Sequence, residues 1–368
     1  MSEAGIPSGA RGLPPIGCNG RGAQASSITQ PVSLTEAGIA EQFRLVREAG
    51  AFDFFDRLPG PSDLPTYLRC IAEHALPVHT ASWFYALGRD DALLPQKLQL
   101  AAEVGAKTHN IMLYWHDAQG RPIRDDEVVD FYLRAWDLGM AQGVEPALEY
   151  HVNMWSEDPR RIASVAEAVR RRGIPFWLTL DYSHAIFKIG NAQELAICGL
   201  ADDDSAVLDP FQRGNFVDQW LGMGIVRWLQ VRCVAPNGPR NAWSIQDPTN
   251  AVAAVPEHSI FPCRAGQPGR GILYPFTEPA PGEWHSPWQE SATAMTREVV
   301  RKVLAHHHAQ GDASPLRWIT TEMINLPDYA HNARFSLIGQ NAAIARFVRK
   351  SWEQICAGSA AAVTAAAD

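Results

Sequence analysis

Several apolar runs in this chain end in polar side chains of types that do acid–base or metal chemistry. "PALEYHV" reaches Glu149, with His151 close behind, and "PFWLTLDYSH" stops at Asp181, with His184 three residues later. "RWITTE" ends at Glu322, and "RWLQVRC" carries Gln230 and Arg232, which strand alternation puts on one face. His79 in "LPVHTASW" and His116 in "LYWHDAQG" complete the set. Taken singly, an acid at a strand end is more often a cap or a salt-bridge partner, and a histidine an ordinary hydrogen-bonded side chain. Three carboxylates gathered at one mouth are a different matter, because unpaired they repel one another and raise their own pKa values. A divalent cation relieves that repulsion. Oxygen donors joined by an imidazole or an amide suit Mn²⁺, Mg²⁺, Co²⁺ or Zn²⁺ and do not choose among them.

The elements that must position these residues alternate along the chain. "SLTEAGIAEQFRLVREAG" opens with a capping-box spacing, Ser33 and Glu36, and precedes the short run "AFDFFDRL". "DLPTYLRCIAEHA" leads to "LPVHTASW", "ALLPQKLQLAAEVGA" to "THNIMLYWH", and "DDEVVDFYLRAWDLGMAQG" to "VEPALEYHV". "DPRRIASVAEAVRRRG" has Asp158 as N-cap, Pro159 at the first helical position and Gly173 as terminator. It feeds "IPFWLTLDYSH"; "IVRWLQVRCV" and "LRWITTEMIN" follow, and "PPIGCN" stands first. Nearly continuous apolar strands are expected when helices cover a parallel sheet. Eight such units predict the α/β class and a (β/α)8 TIM barrel, a single domain over residues 13–356. The alternative, an open doubly wound sheet, lacks a Gly-rich fingerprint after an early strand. Residues 1–12 read as a flexible tail and 357–368 as a disordered one. Residues 234–290, rich in Pro, Gly and aromatics, read as a long β7–α7 loop inserted on the catalytic face, a lid or a subunit contact.

Composition narrows the class further. The 368 residues carry a formal net charge of −8 and no basic stripe, which argues against a nucleic-acid partner. The six cysteines form no regular spacing, as in a reducing compartment. No signal-peptide layout and no apolar run of spanning length is visible, so a cytoplasmic protein with no membrane partner is expected. "HHH" at His306 to His308 falls in a helix-like segment, where the three side chains diverge. "RRR" at Arg170 to Arg172 reads as a solvated helix C-terminus.

"ALEYHVN", "LTLDYSHAIF" and "WITTEMI" resemble the strand ends of the xylose isomerase-like TIM-barrel superfamily, over roughly residues 30–350. That group includes ketose 3-epimerases, inosose dehydratases, hydroxypyruvate isomerase and endonuclease IV-type nucleases. The resemblance implies a metal-dependent isomerase or epimerase of a sugar or a related polyol or keto acid. Glu149, Asp181 and Glu322 would be metal ligands and His184 a substrate contact. Glu149 and Glu322 would remove and return a proton beside the carbonyl through an enediolate. The sequence departs from the family at the seventh strand, where an "HxH"-like run gives way to "RWLQVRC". Gln230 is then the expected fourth ligand, through its amide oxygen, and Arg232 an expected anchor for an anionic substrate group. His79, His116, Trp115 and Arg240 are further expected substrate contacts. Trp83, Trp155, Trp243, Trp284 and Trp288 would pack on a sugar ring or form lid core. The same site admits β-elimination by a lyase or dehydratase on an oxidised sugar or glycoside. His79 and His116 also resemble the extra zinc ligands of the endonuclease IV branch, whose further Asp and His are replaced here by "APNGPRNAW". A metal-free, non-catalytic barrel subunit is the remaining alternative. Barrels of this family often pair, so a homo-oligomer is compatible.

Overall fold

The computed structural model describes residues 12–246, 272–327 and 329–367. Of the expected N-terminal tail only Gly12 is described, and residues 247–271 of the expected inserted loop lie outside the described residues. Eight strands form one parallel sheet: β1 (Ile16–Asn19), β2 (Phe54–Asp56), β3 (Thr80–Tyr85), β4 (Thr108–Leu113), β5 (Glu145–Glu149), β6 (Leu178–Asp181), β7 (Val226–Val231) and β8 (Trp318–Thr321). Their order is β2-β1-β8-β7-β6-β5-β4-β3. A parallel bridge between Phe55 and Val78 joins the two edges. The sheet is thereby a nearly closed (β/α)8 barrel, as the alternation predicts.

Eleven helices connect and cover it: α1 (Ile39–Glu48), α2 (Leu64–His74), α3 (Leu93–Glu103), α4 (Asp125–Gln142), α5 (Arg160–Arg171), α6 (Ser183–Ile186), α7 (Ala192–Ile197), α8 (Phe216–Gly222), α9 (Ala242–Gln246), α10 (Ala294–Gln310) and α11 (Leu337–Ala367), counted among the described residues. α5 shows why these segments are helical. Ile162, Val165, Ala166 and Val169 recur at helical spacing and are its buried face, while Arg170 and Arg171 sit in the last turn. Asp158 Oδ1 accepts from the Arg160 N–H at 3.1 Å, so the predicted cap operates two residues ahead of the assigned start. None of the helices among the described residues is long and apolar enough to cross a membrane.

Alternate residues of each strand face the barrel axis, and side-chain hydrogen bonds between neighbouring and opposite strands tie them together. The Trp318 indole donates to Thr108 Oγ1 at 2.8 Å and the Trp228 indole to Thr320 Oγ1 at 2.8 Å. These pairs fill the barrel as stacked layers, so the interior is packed and a site can form only above them. Gly17 of β1 is required by that packing, since a Cβ there would lie 2.3 Å from the Phe54 ring.

Two local expectations are corrected. Ser33 and Glu36 do not cap α1, which begins at Ile39 after Gly38. Glu36 instead pairs with Arg57 at 2.5 Å and Arg21 at 3.3 Å, and two guanidiniums compete better for a carboxylate than a backbone N–H does. Residues from 357 do not form a disordered tail, because α11 runs on to Ala367. Alanine has the highest helix propensity, and extending a helix avoids the cost of nucleating one. The 272–290 part of the inserted loop packs onto the barrel. Tyr274 N donates to Cys233 O at 2.9 Å, Phe276 N to Gln340 Oε1 at 2.8 Å, and the Trp288 indole to Pro275 O at 3.0 Å. The five described cysteines are unpaired.

Candidate active site

Parallel register brings the polar strand ends to one level. Asp181 pairs with Gln230, Gln230 with Thr320, and Asn19 with Asp56. Glu149 ends β5 and Glu322 directly follows β8, where its N–H donates to Val231 O at 2.9 Å. Glu149, Asp181 and Glu322 each offer an oxygen within 4.8 Å of the others, and all three are buried. Glu149, His151 and His184 form a second cluster of the same tightness.

Hydrogen bonds fix the carboxylates differently. Glu149 Oε2 accepts from the Asn110 amide. Glu322 Oε1 accepts from Asn19 Nδ2 at 3.2 Å and Gln230 Nε2 at 3.4 Å. Asp181 is far more heavily engaged. Its Oδ1 takes the Ser183 N–H at 3.0 Å and hydroxyl at 2.5 Å, and its Oδ2 takes Arg232 Nη2 at 2.8 Å. The same Arg232 nitrogen lies 2.8 Å from His184 Nε2, and Arg232 Nε donates to Ser183 Oγ at 3.0 Å. A guanidinium only donates. Arg232 Nη2 also lies 3.3 Å from His184 Nδ1, and His184 Nε2 lies 3.3 Å from Asp181 Oδ2, so guanidinium, imidazole and carboxylate form one buried cluster. The Arg232 guanidinium also covers the Tyr329 ring at 3.9 Å and is itself 2% exposed.

Charge states follow from this wiring. Burial, then the charge of Asp181, pushes the Glu149 carboxyl well above the usual range. Burial, then Glu149 and Asp181, does the same to Glu322. Burial would raise Asp181 too, but Arg232, His184 and Ser183 override it and hold the group well below the carboxylate range. Burial pushes His184 down to about 4, with Arg232 adding to the shift against Asp181. His151, its ring 4.0 Å from that of His184, is held well below its ordinary value by burial and then by that neighbour. The site thus pulls one acid toward its ionised form and pushes two acids toward their protonated forms and two imidazoles toward their neutral forms.

Glu149, Glu322, His151, Asn19 and Asp56 line a cavity of about 180 Å³, with Trp83, Phe84, Met112 and Tyr329 among its apolar walls. Arg21 and Arg57 also line it and share the single carboxylate of Glu36. Burial, then the like charge of Arg57, lowers Arg21 to about 10. Asp56 accepts from Thr80 Oγ1 at 2.7 Å; its other oxygen is buried with no partner among the described residues. Burial raises it to about 7.

The expected site residues are only partly brought together. Glu149, Asp181, His184, Gln230, Arg232 and Glu322 converge. Gln230 presents its amide nitrogen to Glu322, and its Oε1 is buried without a partner among the described residues. Arg232, expected to hold a substrate anion, is spent on Asp181 and His184 and does not line the cavity. His79 is displaced to the opposite end of the barrel. β3 begins at Thr80, after it, and its ring stacks on Trp318 at 4.9 Å. Trp115 and His116 lie ring against ring at 4.7 Å beyond the end of β4, outside the cavity lining. Arg240 approaches Glu194 at 4.0 Å, also outside it. Of the other tryptophans, Trp83 lines the cavity. Trp155 is buried with its indole donating to Asp125 at 2.9 Å, and Trp243 and Trp284 pack together at 5.9 Å as loop core. Asn19, Arg21, Asp56, Arg57, Asn110 and Ser183 were not singled out from the sequence. Asp56 carries the signal used elsewhere, a carboxylate ending an apolar run ("AFDFFD"). The amides and arginines carry none.

In spacing and donor type the carboxylates and histidines suit a divalent ion. Charge is another matter, since the Arg232 guanidinium lies 2.8 Å from both Asp181 Oδ2 and His184 Nε2, and Asp181 Oδ1 already accepts two donors from Ser183. A divalent ion bound through Asp181 would stand against that fixed cation, which the residues as arranged do not favour.

Solved proteins share this architecture. A probable 3-DHS dehydratase, AsbF, involved in petrobactin synthesis in Bacillus anthracis superposes with a TM-score of 0.53 at 12% identity, covering 90% of this chain and 98% of that one. The chain has the xylose isomerase-like barrel fold. An L-ribulose 3-epimerase matches with a TM-score of 0.51 at 13% identity over 95% of this chain and 98% of its own. A xylose isomerase-like TIM-barrel protein from Mycobacterium smegmatis, in complex with magnesium, matches at 0.51 and 13% over 92% and 98%. At such identity the likeness is one of fold, and the proteins that share the xylose isomerase-like fold here are mostly enzymes. No family model matches the chain, and no curated protein sequence does.

Proposed function

We propose that this barrel is an enzyme that moves a proton on carbon next to a carbonyl, an isomerase or epimerase of a sugar or related keto acid. The observation that carries this reading is the pair Glu149 and Glu322, two buried carboxyls lining one cavity and both held well above the usual carboxylate range. A carboxylate with a raised pKa is a stronger base, and its protonated partner is an acid ready at neutral pH. One glutamate, ionised as substrate enters, takes the proton from the carbon beside the carbonyl. The other delivers a proton to the neighbouring oxygen or to the opposite face of the same carbon. Asn110 orients Glu149, and Asn19 with Gln230 orients Glu322, so neither acid has to search for its geometry.

The enediolate formed on the way is anionic, and the cavity offers it positive charge. Arg21 and Arg57 together outnumber their one partner, Glu36. That surplus also favours a substrate carrying a carboxylate or phosphate. Trp83 and Phe84 supply apolar faces for C–H groups. A divalent metal in this site would polarise the carbonyl, but no step above depends on one.

A second reading, elimination by a lyase or dehydratase, is favoured by Asp56. This third carboxyl in the same cavity is held near 7 and can protonate a departing oxygen. Product analysis over a panel of ketoses, sugar acids and oxidised glycosides separates the two. An isomer of equal mass supports proton transfer alone, and loss of water or of an aglycone supports elimination. Finding neither across the panel rejects both.

A further inference from the structure

We infer that Arg232 is the built-in cation of this site and that the barrel works with its carboxylates balanced by this guanidinium rather than by a divalent metal. The inference rests on the proposed reading only for where the site lies; the binding chemistry is independent of the reaction.

Of the three acids within 4.8 Å of one another, Asp181 is the one Arg232 touches, at 2.8 Å. An ion bound through Asp181 Oδ2, roughly 2.0–2.6 Å away for the usual metals, would stand against a positive guanidinium, and Oδ1 already accepts two donors from Ser183. Arg232 is not a side chain that can swing clear. Its Nε is held by Ser183 Oγ at 3.0 Å, its guanidinium carbon lies 3.9 Å from the centre of the Tyr329 ring, and it is 2% exposed. The same Nη2 lies 2.8 Å from His184 Nε2, so an ion on that imidazole would meet the guanidinium as well.

Gln230 agrees with this arrangement from an independent direction. A ligating glutamine turns its oxygen to the ion, whereas here the nitrogen faces Glu322 and the oxygen has no partner among the described residues. Two consecutive inward positions of β7, Gln230 and Arg232, therefore present N–H groups to the acids. Arg232 acts as a positioning residue. By engaging Asp181 and His184 it leaves Glu149 and Glu322 as the acids of the cluster that line the cavity.

The test uses the intact chain. Protein purified without chelator is analysed for metal, and its melting temperature is measured with Mg²⁺, Mn²⁺, Co²⁺ and Zn²⁺ each at about 1 mM, because a ligand bound only by the native state raises the melting point. The expected result is less than about a tenth of a metal per chain and no rise with any ion. About one metal per chain, removed by EDTA with a fall in melting temperature, overturns the inference while leaving proton transfer by the glutamates standing. Arg232→His, which exchanges the cation for a ligand, is expected to gain a metal-dependent rise that the parent lacks. A folded Arg232→His protein that gains none refutes Arg232 as the group that keeps metal out. If that variant does not fold, the metal content of the parent decides alone.

Discussion

Removing the guanidinium while keeping the stem, as in Arg232→Met, tests the wiring under the site. Asp181 is fully buried, and its Oδ2 would lose the 2.8 Å donor that lets it stay ionised there. Breaking a buried ion pair from one side costs about 3–5 kcal/mol, because the remaining charge is stranded. Methionine keeps the apolar stem but gives up the guanidinium contact with Tyr329, and the stranded charge of Asp181 is the larger loss. The loss has a pH signature of definite sign. His184 Nε2 lies 3.3 Å from Asp181 Oδ2, and Arg232 is one of the groups that hold this imidazole near 4. Without the guanidinium His184 takes a proton more readily than in the parent, although burial still lowers it. The parent, whose native His184 binds fewer protons than the unfolded chain, loses stability on acidification and the variant loses less, so the deficit narrows by about 1–2 kcal/mol between pH 8 and pH 5.5. Urea unfolding at both pH values measures this. Adding Asp181→Asn to the variant should recover most of the loss, giving a coupling energy of about 2 kcal/mol or more in a double-mutant cycle. A loss below about 1 kcal/mol at pH 8, or one that grows on acidification, would refute the reasoning.

Arg57→Ala should raise KM for an acidic substrate by about 10–100-fold with a smaller change in kcat, and added salt should narrow the gap; the same KM for acidic and neutral substrates contradicts the surplus positive charge. Burial pushes Asp56 up to about 7 in the native state from an ordinary 3.8, so the native chain binds the extra proton and the group's stabilising contribution is lost as pH rises through that window. Asp56→Asn should therefore be more stable than the parent at pH 8 and about equal at pH 4, as read by thermal melting at the two values. Glu149→Gln and Glu322→Gln mimic acids that already hold protons, so each should keep or raise the melting temperature, and a fall of more than a few degrees argues that these groups are ionised in the resting protein.

Much of the barrel was legible because its strands are apolar runs bounded by helix punctuation. Asp158, Pro159 and Gly173 around α5 are an example. The strand-end acids were legible for a related reason, since a buried parallel strand has no cause to end in a carboxylate unless the residue faces the mouth. His79 was misplaced because "LPVHTASW" has no internal mark of where pairing starts. β3 begins one residue after it, and the residues that reach the cavity are Ser82, Trp83 and Phe84. The cap spacing at Ser33 misled because the alternative partners of Glu36, Arg21 and Arg57, are distant or follow much later in the chain. Arg232 shows the limit of pattern reading most clearly. Alternation put it inward beside Gln230, but only the positions of Asp181, Ser183, His184 and Tyr329 around it make it part of the cluster instead of a substrate anchor.

Solvent deuterium wash-in reads the central step directly. The protein is incubated in D₂O with ketoses and their sugar-acid counterparts, and the carbon beside the carbonyl is followed by NMR and mass spectrometry. The account predicts one deuterium at that carbon in a turned-over compound, with the rate falling about 10²–10⁴-fold in Glu149→Gln and in Glu322→Gln. Wash-in at an undiminished rate in both variants, or turnover without any exchange at that carbon, would contradict it.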